Sequence, residues 1–321
     1  DYIDLDSDGD ATGDEDEDST IGSDPYDADT DGDGVTDGVE VVAGTDPTDE
    51  ESTTELYVEV AEGAIDVTYD FTLETELQTV DIAFLIDTTC SMDSTRAAMA
   101  AEFDEMQDQI GDSVPTAQYG YATFDDYAFD PPGAAGAFGS PAEDGSAQDL
   151  PFALQQQVTS DVDAVEASLA ATPEHWGGDY PESSFEALYQ ATTGIGYDQN
   201  CDRIFDPTTD VPPFFSGSDD PFGGTGGEGW SDESPGGGSI GGMGFREEVL
   251  PILIYATDNR MRDPESGSDV YGGAPGGCPK DAGFSDVAAA AEDIGARFIG
   301  VSANTTLPVE QMNALAEASD S

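Results

Sequence analysis

The stretch TVDIAFLIDTTCS, residues 79–91, decides how this chain is read. Its apolar run from Ile82 to Ile86 does not alternate with polar residues, so both faces of the segment must be covered. That is the pattern of a central strand in a sheet layered on both sides, not of a half-solvated hairpin. The run then ends in a polar signature, Asp87, Thr89 and Ser91, spaced D-x-T-x-S. Alternate side chains of an extended turn point the same way, so one carboxylate and two hydroxyls can face a single hard cation.

Working outward, strands and helices alternate. Helices are expected over Ser94–Ile110, Ser160–Ala171, Ser183–Ala191 and Ser285–Ile294, with a last one starting near Pro308. Strands are expected over Ala117–Phe124, Val249–Ala256 and Arg297–Val301. Buried strands alternating with helices define an α/β class with a doubly wound, mostly parallel sheet flanked by helices. Ligands of such sheets bind outside the carboxyl ends of the strands. Glu182, opening a helix in HWGGDYPESSFEALYQA, and Asp258, ending LPILIYATD, fall at such ends. With Asp87, Thr89 and Ser91 they offer five oxygen-bearing side chains from three loops. Taken singly, each has a plainer reading: Ser91 as a helix cap, Glu182 as a first-turn acid, Asp258 as a solvated strand end. Gly/Pro-rich insertions are expected near 130–148 and 196–244. In the second, Phe214, Phe215, Phe222 and Trp230 either pack it down or touch a partner.

Residues 1–52 have a different character. From Asp29 the chain reads DTDGDGVTDGVE, the register of a twelve-residue calcium loop. Asp29, Asp31 and Asp33 take positions 1, 3 and 5, Gly34 the turn at 6, the Val35 carbonyl 7, Asp37 9 and Glu40 12. A second copy begins at Asp4, with Asp6, Asp8 and Gly9 in register and Asp10, Thr12 and Glu15 completing a less regular loop. GSDP at 22–25 echoes GTDP at 44–47. This segment resembles the thrombospondin type 3 repeats over roughly residues 4–49, departing after Gly9 with the run GDEDEDST. The resemblance implies Ca²⁺ and an extracellular, stiffened stalk. A segment with so little core folds only where metal binding offsets the ordering entropy. Between it and the α/β unit, ELYVEVAE and AIDVTYDFTLE read as a β-hairpin, residues 53–78, turning at Gly63.

Charge narrows the setting. Lys plus Arg number 7 against 71 Asp plus Glu, a formal net charge of −64. Such a surface repels nucleic acid and anionic lipid. Together with well-patterned hydrophobic runs it fits a very salty medium, where a Debye length of about 3 Å at 1 M salt screens the self-repulsion. No stretch is long and apolar enough to insert in a membrane. Cys201 and Cys278 can pair if their Cβ atoms meet. Cys90, just past a buried strand, is expected as a small buried thiol. The only histidine is His175. With no histidine among the expected ligands and no spare carboxylate as base, an enzyme is not expected.

The polar constellation resembles the von Willebrand factor A family, and within it the inserted domain of integrin beta chains, over about residues 78–318. Asp87, Thr89 and Ser91 match D-x-S-x-S with Thr for the first Ser, Asp179, Pro181 and Glu182 match D-x-P-E, and Asp258 matches the aspartate after the next central strand. The resemblance implies an adhesion site for Mg²⁺ at Asp87, Thr89, Ser91, Glu182 and Asp258, with one coordination position left for a carboxylate from a protein partner. It also implies an adjacent Ca²⁺ site at Asp126, Asp179, the Pro181 carbonyl and Glu182, although Gly177 stands where that pattern has asparagine. A third site is not implied, because Ser94 and Thr95 stand where it needs aspartates. A further strand beyond Ser321 is normal in the family, so residues 79–321 read as a domain truncated at its end.

These readings converge on an extracellular or cell-surface module of a halophilic microorganism, or of the virion of a virus infecting one. It would bind an acidic group through Mg²⁺ on a calcium-stiffened stalk. The alternative is a structural subunit of a surface layer, filament or viral appendage, its partner another subunit and its metals ordering loops only.

Overall fold

The computed structural model describes residues 7, 21–32, 36–37, 41, 47–49, 79–127, 149–172, 175, 177, 180–214, 220–224, 234–265, 277–303, 305–319 and 321. The chain divides into two compact units, Asp1–Glu76 and Leu77–Ser321. The expected hairpin at 53–78, the ligands of the first calcium loop (Asp4, Asp6, Asp8, Asp10, Thr12 and Glu15) and the insertion at 130–148 lie outside the described residues.

The second unit is an α/β fold. Its strands are β1 (Val80–Asp87), β2 (Gln118–Phe124), β3 (Ala153–Thr159), β4 (Leu250–Thr257) and β5 (Arg297–Ser302). They order as β3-β2-β1-β4-β5. β1 lies parallel to β2 and β4, β4 parallel to β5, and only the edge strand β3 runs antiparallel. The helices are α1 (Asp93–Ser113), α2 (Val162–Ala171), α3 (Ser184–Thr193), α4 (Phe284–Ile294) and α5 (Val309–Ala318).

The unbroken apolar run of β1 serves two cores. Ile82, Phe84 and Ile86 face one side, with Phe103 of α1 and Val165 and Leu169 of α2. Ala83 and Leu85 face the other, with Phe185 and Leu188 of α3, Val287 and Ala291 of α4, and Met312 and Leu315 of α5. All eight residues of β1 are buried, as a central strand between two helical layers requires.

β3 was not among the expected strands. Its sequence, ALQQQVT, has a glutamine run in place of apolar alternation. It forms because the edge of β2 is free to pair, and one of its glutamines, Gln155, donates to Thr123 Oγ1 at 3.1 Å.

The described parts of the long insertion have no named helix or strand, yet they pack down. Tyr197, Val211, Phe214, Phe222 and Met243 are buried, which settles the use of Phe214 and Phe222. Phe215 and Trp230 lie outside the described residues. Cys201 and Cys278 are disulfide-bonded with Cα atoms 5.3 Å apart, tying the insertion to the segment before α4.

Candidate metal centre at the carboxyl edge of the sheet

From β1 the chain winds to β2 on one side, and from β4 to β5 on the other, so the order reverses between β1 and β4. A crevice opens outside the carboxyl ends of strands at such a reversal. Asp87 ends β1 there, and Asp258 follows β4.

Four of the five expected ligands form a continuous chain of oxygens. Asp87 Oδ1 accepts from the Thr89 amide at 2.9 Å and the Thr89 hydroxyl at 2.7 Å. Thr89 Oγ1 lies 3.4 Å from Ser91 Oγ, which donates to Asp258 Oδ1 at 3.1 Å. The Thr257 hydroxyl donates to Asp87 Oδ2 at 2.8 Å. Ser91 is therefore not a helix cap; the turn Cys90–Met92 and α1 have no side-chain cap bond.

Glu182, 3% exposed, reaches the same edge through the backbone. Its amide donates to Arg260 O at 2.9 Å, and its carbonyl accepts from the Arg262 amide at 2.7 Å. These bonds form a short parallel bridge to Met261, so Glu182 does not open a helix as expected; α3 starts at Ser184. The bridge fixes the Glu182 loop to the segment directly after Asp258.

The electrostatics suit a cation. Asp87 is fully buried, and burial pushes its pKa up to about 7, with a smaller push from the Asp125 charge, against the bonds from Thr89 and Thr257. No Lys, Arg or His among the described residues pairs with it. The linked donors are all oxygen: two carboxylates and two hydroxyls in one chain. An all-oxygen set of this kind suits a hard divalent ion. Bound there, such an ion would supply the positive charge that Asp87 lacks.

The expected neighbouring calcium ligands meet differently. Asp126 and the Pro181 carbonyl do come together, but on a guanidinium: Arg262 Nη2 lies 3.2 Å from Asp126 Oδ1 and donates to Pro181 O at 2.9 Å. Both side chains of this ion pair are 0% exposed. The cation between these two groups is thus supplied by the chain itself. Asp179 lies outside the described residues, as does Trp176.

Sequence reasoning also missed a buried polar group behind the edge. His175 Nδ1 bonds Asp125 Oδ2, the Thr88 hydroxyl bonds Asp125 Oδ1, and the His175 amide donates to Thr88 O at 3.0 Å. Asp149 is close enough that one ligand atom each from Asp125, Asp149 and His175 lie within 4.8 Å of one another, a group able to hold a metal ion. Burial works to lower the His175 pKa, but the Asp125 hydrogen bond and the Asp125 and Asp149 charges outweigh it and leave the pKa raised. The pair braces the Thr88 turn between Asp87 and Thr89. The only sequence signal was that the chain has one histidine, in a loop beside the D-x-P-E motif. Cys90, expected buried, is exposed: β1 ends at Asp87, and the tight turn that follows faces Cys90 outward.

In the first unit, Asp29, Asp31 and Asp37 are described, whereas Asp33, Val35 and Glu40 are not. Asp37 is fully buried and closes the loop on Thr30, accepting from its amide at 2.8 Å and its hydroxyl at 2.6 Å. Asp29 Oδ1 accepts from the Gly32 amide at 2.9 Å.

A model of the bacterial TSP3 repeat, a calcium-binding unit, matches residues 29–50. No curated protein matches the chain. Among solved structures, proximal thread matrix protein 1 from the mussel byssus matches at 10% identity with a TM-score of 0.36, over 75% of this chain. The match spans 39% of the length of that protein. The class defined by fold and repeat is therefore an α/β domain preceded by a calcium-binding TSP3 repeat. No helix among the described residues is long and apolar enough to cross a membrane.

Proposed function

We propose that the chain is an extracellular, cation-dependent binding module of the von Willebrand factor A type. A Mg²⁺ ion held by Asp87, Thr89, Ser91, Glu182 and Asp258 recognises a carboxylate on a protein partner, and the TSP3 repeat forms a calcium-bound stalk. The observation that carries this reading is the oxygen chain Asp87–Thr89–Ser91–Asp258 at the reversal of strand order, ending in a fully buried carboxylate without a protein counter-charge. TSP3 repeats belong to extracellular proteins, which supports the location. The acidity of the chain supports a halophilic source, and there a partly exposed cation reverses the local field, so that an acidic partner can approach a surface of −64. The role is binding, not catalysis.

An anomalous-difference map from crystals soaked in Mn²⁺ tests this. The expected result is a peak ringed by the five side chains with one position held by water or a neighbour's carboxylate. A peak closed entirely by this chain's own side chains, or no peak, would replace the adhesion reading with that of a structural subunit.

A further inference from the structure

The long insertion contains DQNCDRIFDPTTD, residues 198–210. Counted from Asp198 as position 1, Asn200 falls at 3, Asp202 at 5, the Ile204 carbonyl at 7 and Asp206 at 9. These are the offsets that Asp29, Asp31, Asp33, Val35 and Asp37 occupy in the stalk loop. Position 6 of such a loop needs a left-handed backbone, which glycine usually supplies. Arg203 stands there and adopts φ +62°, a left-handed conformation that a non-glycine residue keeps only where its surroundings impose it.

The backbone follows the sequence register. The Arg203 amide donates to Asp198 Oδ2 at 2.8 Å, joining position 6 to position 1. The Asp202 amide donates to Asn200 Oδ1 at 2.9 Å, and the Ile204 amide to Asp202 Oδ1 at 2.6 Å. Asp210 closes the loop, accepting from the Gln199 amide at 3.1 Å and the Asp206 amide at 2.8 Å. A bridge between Tyr197 and Val211 forms the base. Asp198 also exchanges backbone bonds with Cys278, to which Cys201 is disulfide-bonded.

A separate observation points to a ligand. Asp198 is 0% exposed, and its Oδ1 is buried without any hydrogen-bond partner. Oδ2 of the same carboxylate accepts from the amide at position 6, which fixes this carboxyl group at the loop. A buried, unbonded carboxylate oxygen is costly unless a cation meets it.

We propose that residues 198–210 form a calcium-binding loop inside the α/β unit, with Asp198, Asn200, Asp202, the Ile204 carbonyl and Asp206 as ligands and water completing the shell. Oxygen-only donors on an exposed, adaptable loop select Ca²⁺ over Mg²⁺ and over transition metals. The ion and the disulfide fasten the insertion together, and the site shares no ligand with the sheet edge or with the loop from Asp29.

Equilibrium dialysis of the full chain with radioactive calcium in molar KCl, which suppresses loose counter-ion binding, tests this. The double variant Asp202→Asn/Asp206→Asn changes two exposed side chains and is expected to bind about one calcium ion fewer per chain. The pair Asp29→Asn/Asp31→Asn removes a different ion, and the two losses add. Calcium also slows hydrogen exchange of the Arg203 and Ile204 amides in the native chain but not in Asp202→Asn/Asp206→Asn. Unchanged calcium stoichiometry in that variant, or amide protection there that ignores calcium, overturns the proposal.

Discussion

The two ends of β1 each bury an aspartate completely, and each end treats it differently. Asp81, near the start, receives a built-in cation: Arg246 bonds it through Nε at 2.8 Å and through its amide at 2.7 Å. Asp87, at the other end, receives only hydrogen bonds from Thr89 and Thr257. A chain with 7 basic residues against 71 acidic ones places one of its few arginines at the first position and none at the second. The first carboxylate has its counter-charge within the fold, whereas the second has none among the described residues. Asp126, on the same edge as Asp87, follows the Asp81 pattern through Arg262.

The contrast breaks most visibly if Arg246→Met is harmless. That change leaves Asp81 buried without its cation and should cost about 3–5 kcal/mol, read as a lower denaturation midpoint in molar salt, with Mn²⁺ binding at the sheet edge retained. An unshifted midpoint would mean that Asp81 is no more dependent on its partner than Asp87 is. Next in size is the response to metal. At a hundredfold excess over Kd, Mg²⁺ should stabilise the native chain by about 2.7 kcal/mol. Asp87→Asn and Asp258→Ala should remove that gain while leaving the metal-free midpoint within about 1 kcal/mol.

A pH titration sharpens the comparison with a carboxylate away from the edge. Burial raises the Glu186 pKa to about 7 despite bonds from the Ala282 amide and Gln190. The folded state therefore holds this proton more tightly than the unfolded state, whose pKa lies near 4.5. Its contribution is full below pH 4.5 and is lost as pH rises toward 7, by on the order of 3 kcal/mol. Glu186→Gln should flatten that part of the stability profile, and an identical profile in the variant would remove Glu186 as its source. The smallest effect expected is that of Ser91→Ala: stability within about 0.5 kcal/mol, with weaker Mn²⁺ binding in the same titration.

Particular residues mark where the sequence was legible. β1 and β4 could be read because a central strand is apolar by necessity, and the D-x-T-x-S turn because its residues are neighbours in the chain. β3 could not, since an edge strand of glutamines draws its order from β2 and not from its own pattern. Arg262 was missed because its partner Asp126 is 136 residues away, and nothing local announces the pairing. The Asp198 loop carried a readable register, but an arginine stands where the motif has glycine.

By itself the sequence determined the α/β class, the central strand, the calcium register of the TSP3 repeat and the residue types available at the sheet edge. These follow from periodicity and from spacing within a few residues. Only the tertiary structure decided which carboxylates are closed by arginines and which are left open, that Glu182 is held by a backbone bridge to Met261, and that Cys90 faces outward. Those outcomes depend on burial and on contacts between distant segments, and whether a charge needs an outside partner is set by what packs around it.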